Sequence, residues 1–175
     1  MASLIKLVVG LGNSEKKYQS TLHNIGHDVI NALLRDLPKR RVPLEKSEGF
    51  MNSSGLSVKK FADRYNCDPS ELLIVCDDLD LPMGQPRIRL DGSSGGHRGL
   101  ESIFEAFGGR NDIPRLRIGI GRPPNSLNPA EYVLKDTKDF VEAAVIINRG
   151  ALVVRMAIDD GLEKAMNTFN KSIEA

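Results

Sequence analysis

The sequence predicts an α/β fold: one domain over residues 1–175, with a twisted, mixed β-sheet flanked by helices. Two observations lead there. Short apolar runs bounded by glycine or acidic turns alternate with stretches of helical period, the pattern of a layered α/β domain. Two later runs, Arg87–Leu90 and Pro114–Gly121, instead alternate polar and apolar residues, as half-exposed strands do. Such strands suggest antiparallel pairing, so the sheet should be mixed. A length of 175 residues suits a single core.

Leu4 to Gly10 is β-branched-rich and ends at glycine, so it reads as a buried strand. From Asn24 the period changes. Ile30, Leu33, Leu34 and Leu37 fall on one helix face, and Pro38 should end that helix. Lys39 to Gly49 is polar and shows no clear period, so it is expected to be loop. Ser53 or Ser54 is placed to cap a helix whose apolar face is Val58, Phe61, Ala62 and Tyr65. Glu71 to Cys76 reads as a second buried strand, running into Asp77-Asp78-Leu79-Asp80. Pro82–Gly84 is a turn and Gly92–Gly96 a flexible polar loop. Leu100, Ile103, Phe104 and Phe107 mark the next helix. A C-terminal helical region opens at Phe140 and should break at Asp159-Asp160-Gly161 before Leu162–Phe169. There is no repeat, low-complexity tract or linker.

Composition narrows the functions. Hydrophobic content of 41% and charged content of 27% are ordinary for a globular protein. A formal net charge of +1 gives no global signal for nucleic acid, though a local basic patch remains open. Cys67 and Cys76 provide neither a disulfide framework nor metal spacing and read as structural. No apolar run approaches the roughly 20 residues that span a bilayer. The N-terminus enters a strand almost at once, which leaves no room for a targeting peptide. A cytoplasmic location is expected, with a processed organellar protein left open.

Leu7 to Asn24 is the stretch that points to chemistry. A buried strand ending in a polar turn is where open α/β sheets bind ligands. His23 can take and return a proton near neutral pH. Asp77, at the end of another strand, is the kind of carboxylate that fixes an imidazole tautomer and strengthens its free nitrogen as a base. No Ser or Cys lies in a nucleophile elbow, so the chemistry expected is direct attack by water. Asn13 and Asn52, in polar turns, suit the holding of a carbonyl and its oxyanion. Asp77, Asp78 and Asp80 lack the further oxygen ligands of a calcium loop. Gly10-Leu11-Gly12 begins like a dinucleotide fingerprint, but Glu15 takes the third glycine's place, which argues against a nicotinamide enzyme. Arg87 with Arg89, and Arg115 with Arg117, are spaced to share strand faces, either as a solvated edge or as phosphate ligands.

Together, VVGLGN with Tyr18, HNIG, FMNSSG, DDLDLPMG, GSSGGHRGL and PRLRIGIGRP resemble the bacterial-type peptidyl-tRNA hydrolases over most of the chain. The resemblance implies a single α/β domain that cleaves the ester between a peptide and the 3′ ribose of tRNA, recycling tRNA from abortive translation. It implies His23 as the base for water, Asp77 as its orienting partner, and Asn13 and Asn52 as carbonyl ligands. It further implies substrate contacts from Tyr18, Asn24, Met51, His97 and Arg98, with Arg89 and Arg117 on acceptor-stem phosphate. The partner is peptidyl-tRNA, bound by a monomer; no metal or organic cofactor is implied.

The sequence departs from the family pattern at Ser14-Glu15, where Pro-Gly is usual, at Leu22 for Arg, and at Arg98 for Asn. The segment before Phe50 is also short, and the strand hairpin expected there is missing from the pattern. The reading therefore expects a bare sheet edge, an Asn52 loop without an anchor, and reduced stability and activity. A non-catalytic RNA-binding member of the fold, or an inactive shortened variant, is the alternative.

Overall fold

The computed structural model describes residues 4–36, 41–140 and 142–171. In chain order these form β1 (Leu7–Gly10), α1 (Ile25–Asp36), β2 (Leu44–Lys46), α2 (Ser54–Arg64), β3 (Leu72–Asp78), β4 (Pro86–Arg89), α3 (Arg98–Ala106), β5 (Arg115–Gly119), α4 (Pro129–Tyr132), α5 (Ala143–Asp159) and α6 (Leu162–Phe169). Short 3₁₀ turns join several of them. Leu37 and Pro38, the expected end of α1, lie outside the described residues.

The strands form one mixed sheet in the order β2-β1-β3-β5-β4. Its first three neighbour pairs are parallel and β4 is antiparallel to β5. Side chains alternate between two cores. Leu7, Val9, Leu72, Ile74 and Cys76 share a core with Val58 and Phe61 of α2 and Leu100 and Ile103 of α3. Val8, Leu73, Val75, Leu116 and Ile118 share the other with residues of α1, α5 and α6. Central strands covered on both faces must be apolar throughout, which explains the unbroken runs of β1 and β3.

The segment before Phe50 differs from expectation. Leu44–Lys46 is a strand, paired parallel to β1 with Val8 opposite Leu44 and Gly10 opposite Lys46. Three residues at a sheet edge need only one inward side chain. Leu44 supplies it at 7% exposure, so no run of alternation exists to be read. The pairing continues as the Ser47 N–H donates to Gly10 O at 2.9 Å. The bare β1 edge on which a weakened protein was expected is thus covered. The cap expectation also needs correction, because neither serine side chain caps α2. Ser53 Oγ donates to Phe50 O and Ser54 Oγ to Met51 O. The C-terminal break falls at Gly161, whose φ of 95° suits glycine.

Candidate active site

The VVGLGN and HNIG motifs meet because α1 crosses β1 at two glycines. A Cβ on Gly10 would lie 2.2 Å from Gly26 O, and one on Gly26 would lie 2.3 Å from Val75 O. This close approach carries the turn before α1 to the carboxyl ends of β1 and β3, the ligand-binding end of a parallel sheet. The backbone there is held from outside. His23 N–H donates to Val133 O at 2.8 Å and Leu22 N–H to Lys135 O at 3.0 Å. Leu22 itself enters the core at 2% exposure.

His23 Nδ1 lies 2.9 and 3.0 Å from the two oxygens of Asp77. His97 Nε2 lies 3.0 Å from Asp77 Oδ1. His97 Nδ1 accepts the N–H groups of Gly99 and Leu100 at 3.1 and 3.4 Å, capping α3. An acceptor Nδ1 carries no proton, so neutral His97 is protonated at Nε2 and donates to Asp77. The carboxylate in turn requires the proton of neutral His23 at Nδ1. Nε2 of His23 is then the unprotonated nitrogen, and it makes no hydrogen bond with the described residues.

Burial works against charge on His23, but the charge of Asp77 and its hydrogen bond outweigh it and raise the pKa above 6.5. Burial likewise opposes ionisation of Asp77. The two imidazoles prevail and hold its carboxyl well below the usual carboxylate range. The His23, Asp77 and His97 donor atoms all lie within 4.8 Å of one another, a spacing that a metal ion also fits. The tautomers disfavour that use, because Nδ1 of His23 and Nε2 of His97 both carry the protons that Asp77 accepts.

The remaining acidic residues of the β3 turn have separate partners. Arg117 Nε pairs with Asp78 Oδ2 at 2.8 Å, and Arg122 pairs with Asp80. A cleft of about 510 Å³ opens here, lined by His23, Asp77, His97, Arg98 and Arg117 among others. Arg122, which sequence reasoning missed, belongs to it too. An isolated Arg after a glycine carries no periodic signal.

Neither Asn13 nor Asn52 lines this cleft; Asn13 lines a separate cavity with Ser14, His27 and Ser47 and is built differently. The Asn24 side chain clamps its backbone, accepting Asn13 N–H at 2.8 Å and donating to Asn13 O at 2.9 Å. Asn13 Oδ1 accepts Met51 N–H at 2.8 Å. Its orientation is thereby set, and its Nδ2 makes no hydrogen bond with the described residues. Asn52, the next residue after Met51, is exposed on a 3₁₀ turn and its side chain has no described partner.

Several expected substrate contacts are placed otherwise. Asn24 is 2% exposed, with its amide oxygen and nitrogen both engaged on the Asn13 backbone. Met51 is 5% exposed and abuts Gly99, where a Cβ would lie 2.7 Å from its sulfur. His97 lines the cleft, but both ring nitrogens are occupied. Tyr18 is half-buried and does not line the cleft. Arg98 is exposed and does.

The β4–β5 register sets Arg87 opposite Arg117 and Arg89 opposite Arg115, so all four arginines share one sheet face. Arg115 is buried and donates to Asn111 O, Ile113 O and Ser93 O, a structural role. Arg89 is exposed and has no ion-pair partner among the described residues. Sequence reasoning does not single out His27. It is buried against Ser47, and desolvation with nearby Lys46 pushes its pKa down to about 4.

An open α/β sheet with an oriented imidazole at its strand ends is an arrangement suited to a hydrolase that activates water. Comparison with known proteins narrows this. A family description, Peptidyl-tRNA hydrolase, matches residues 7–175. The peptidyl-tRNA hydrolase of Aquifex aeolicus is 40% identical over 187 positions, covering 95% of this chain and 97% of that protein. That of Shouchella clausii is 42% identical over 188 positions, covering 95% and 100%. The crystal structure of peptidyl-tRNA hydrolase from Acinetobacter baumannii superposes with a TM-score of 0.83 at 30% identity, covering 97% of this chain and 96% of that one. The chain belongs to the peptidyl-tRNA hydrolase family. The 188-position alignment is longer than the 175-residue chain, so the relative has residues with no counterpart here.

Proposed function

We propose that this protein hydrolyses the ester that joins a peptide to the 3′ ribose of tRNA, with His23 as the base. Water attacks the ester carbonyl as His23 Nε2 takes its proton. Asp77 keeps the ring in the required tautomer and stabilises the imidazolium as it forms. The carbonyl oxygen becomes an oxyanion, and the amide groups of Asn13 and Asn52 donate to it. Collapse breaks the ester bond, and the proton passes from His23 to the departing ribose oxygen. The peptide leaves with a free carboxylate and the tRNA with its 3′-hydroxyl restored.

The observation that supports this reading most directly is the His23–Asp77 pair, with Nε2 unengaged in a cleft at the sheet's ligand-binding end. The family's other members supply the substrate class. The arginine face of β4 and β5 extends from the cleft as the surface for acceptor-stem phosphates, with Arg87 and Arg89 without ion-pair partners among the described residues and Arg117 nearer the reacting centre. Arg98 adds a cation inside the cleft. The mechanism needs no metal or organic cofactor.

No helix among the described residues is long and apolar enough to cross a membrane. A cytoplasmic monomer is the reading that the family resemblance implies. The decisive experiment is release of free tRNA from a diacetyl-lysyl-tRNA substrate. Stoichiometric binding without release would favour the non-catalytic RNA-binding alternative.

A further inference from the structure

We infer that Ser14 is a positioning residue that holds the Asn52 turn in register with Asn13. This rests on the hydrolase reading above. The β1–β2 ladder ends early, with Gly10 opposite Lys46. Beyond it, side-chain oxygens take over the pairing. Ser47 Oγ accepts Gly12 N–H and donates to Gly12 O, each at 3.1 Å. Ser14 then makes two bonds to one residue: its N–H donates to Gly49 O at 2.9 Å, and its Oγ accepts Gly49 N–H at 2.7 Å. Asn13 Oδ1 takes Met51 N–H. Two adjacent residues after β1 therefore grip Gly49 and Met51, on either side of Phe50 and immediately before Asn52.

The grip holds the N-terminal side of this turn; on its far side Met51 is buried against Gly99, and Ser53 and Ser54 donate back to Phe50 O and Met51 O. Phe50 is 52% exposed, and the side chain of Asn52 has no described partner. Gly49 has φ of 79°, in the left-handed region, which makes the turn specific to glycine. Ser14 Oγ accepts from Gly49 N–H and donates to Ser47 O at 3.5 Å, so its hydroxyl is engaged on the loop and acts through the turn. A reacting group displaced by about 1 Å can lose roughly a hundredfold in rate. The two Ser14 bonds oppose such a displacement from the N-terminal side of the turn.

The test is a double-mutant cycle of Ser14→Ala with Asn52→Ala, together with Ser14→Thr, read as kcat, KM and melting temperature on peptidyl-tRNA. Alanine keeps the N–H but loses the hydroxyl, whereas threonine keeps both. Ser14→Ala should lower kcat by about tenfold with KM little changed. Ser14→Thr should restore the rate, and the Ser14→Ala loss should largely vanish when Asn52 is already alanine. An unchanged kcat in Ser14→Ala overturns the inference. So does an equal loss in the Asn52→Ala background, or a loss that tracks a lowered melting temperature and is not restored by threonine. A wild-type chain that releases no tRNA would instead overturn the hydrolase reading, before any variant is made.

Discussion

Asp77 and Asn13 stand near the ends of neighbouring parallel strands, yet their surroundings are built in different ways. Asp77 belongs to β3, at the centre of the sheet, with its side chain 3% exposed and two imidazoles on its oxygens. Asn13 follows β1, nearer the rim, and its supports are the neutral amides of Asn24 and Met51, while serine hydroxyls hold its neighbours, Ser47 on Gly12 and Ser14 on Gly49. The difference follows from what each group must do. A carboxylate that stabilises imidazolium is most effective where water is excluded and its partners are fixed. An amide donor carries no net charge, so its desolvation costs less and a hydrogen-bonded loop suffices to hold it. The charged half of the site is therefore rigid by packing, and the neutral half by directional bonds.

The largest effect should come from the charged half. His23→Ala removes the base and should lower turnover by on the order of 10³–10⁴, with tRNA binding little changed, as measured by single-turnover release and by equilibrium binding. Near-normal turnover would move the base elsewhere.

Asp77→Asn should slow the reaction by less, on the order of 10²–10³, because an imidazole in the wrong tautomer still reaches the correct one part of the time. It also carries a pH signature. Asp77 raises the His23 pKa, so in wild type the base is lost on acidification through a value above 6.5. The neutral amide of the variant cannot supply that charge, and burial then dominates, so the acidic limb of the rate profile should move to lower pH. The linkage to stability has the opposite sense to the rate. The raised folded pKa means the ion pair stabilises fully below pH 6.5 and fades as pH rises through the raised value. An acidic limb that stays put in Asp77→Asn would show that His23 is not the titrating group.

The contrast between the two halves also accounts for what was legible in the sequence. β1 and β3 announce themselves because strands covered on both faces must be apolar throughout. His23 and Asp77 stand out because charge at such strand ends is costly without a use. The groups that hold Asn13 and its neighbours do not stand out. Ser14, Ser47 and Asn24 are ordinary turn residues until the fold brings distant positions into contact, as with Ser47 and Gly12, 35 apart in the chain. β2 was illegible for a related reason, since three edge residues with one buried side chain have no period. The resemblance assigns Asn24 and Met51 to substrate; their burial, 2% and 5% exposed, is likewise set by distant contacts and not by a local pattern. The capping role of His97, and hence its tautomer, depends on where α3 begins relative to Asp77, which no local pattern encodes.

Asn52→Ala tests the neutral half directly. It removes one proposed oxyanion donor and should cost on the order of 10² in kcat, with KM changed little. The pH profile should keep its wild-type acidic limb, because Asp77 and His23 are untouched. A shifted limb would mean the two halves are electrostatically coupled.

The smallest effects should come from the arginine face, where Arg89 and Arg117 differ in the same sense as the two halves of the site. Arg89 is exposed and unpaired among the described residues, so Arg89→Ala should weaken tRNA binding a few-fold and lower the salt slope by about one. Arg117 is 21% exposed in its side chain and already paired with Asp78. Its removal subtracts one cation and also unmasks a carboxylate that is 6% exposed beside the incoming phosphates. Arg117→Ala should therefore weaken binding more than Arg89→Ala, and Arg117→Ala combined with Asp78→Asn should recover part of the loss. Titrating binding against salt for the three variants separates these cases. Equal losses in the two single variants, with no recovery in the double, would make both arginines independent phosphate ligands and the Asp78 pair incidental.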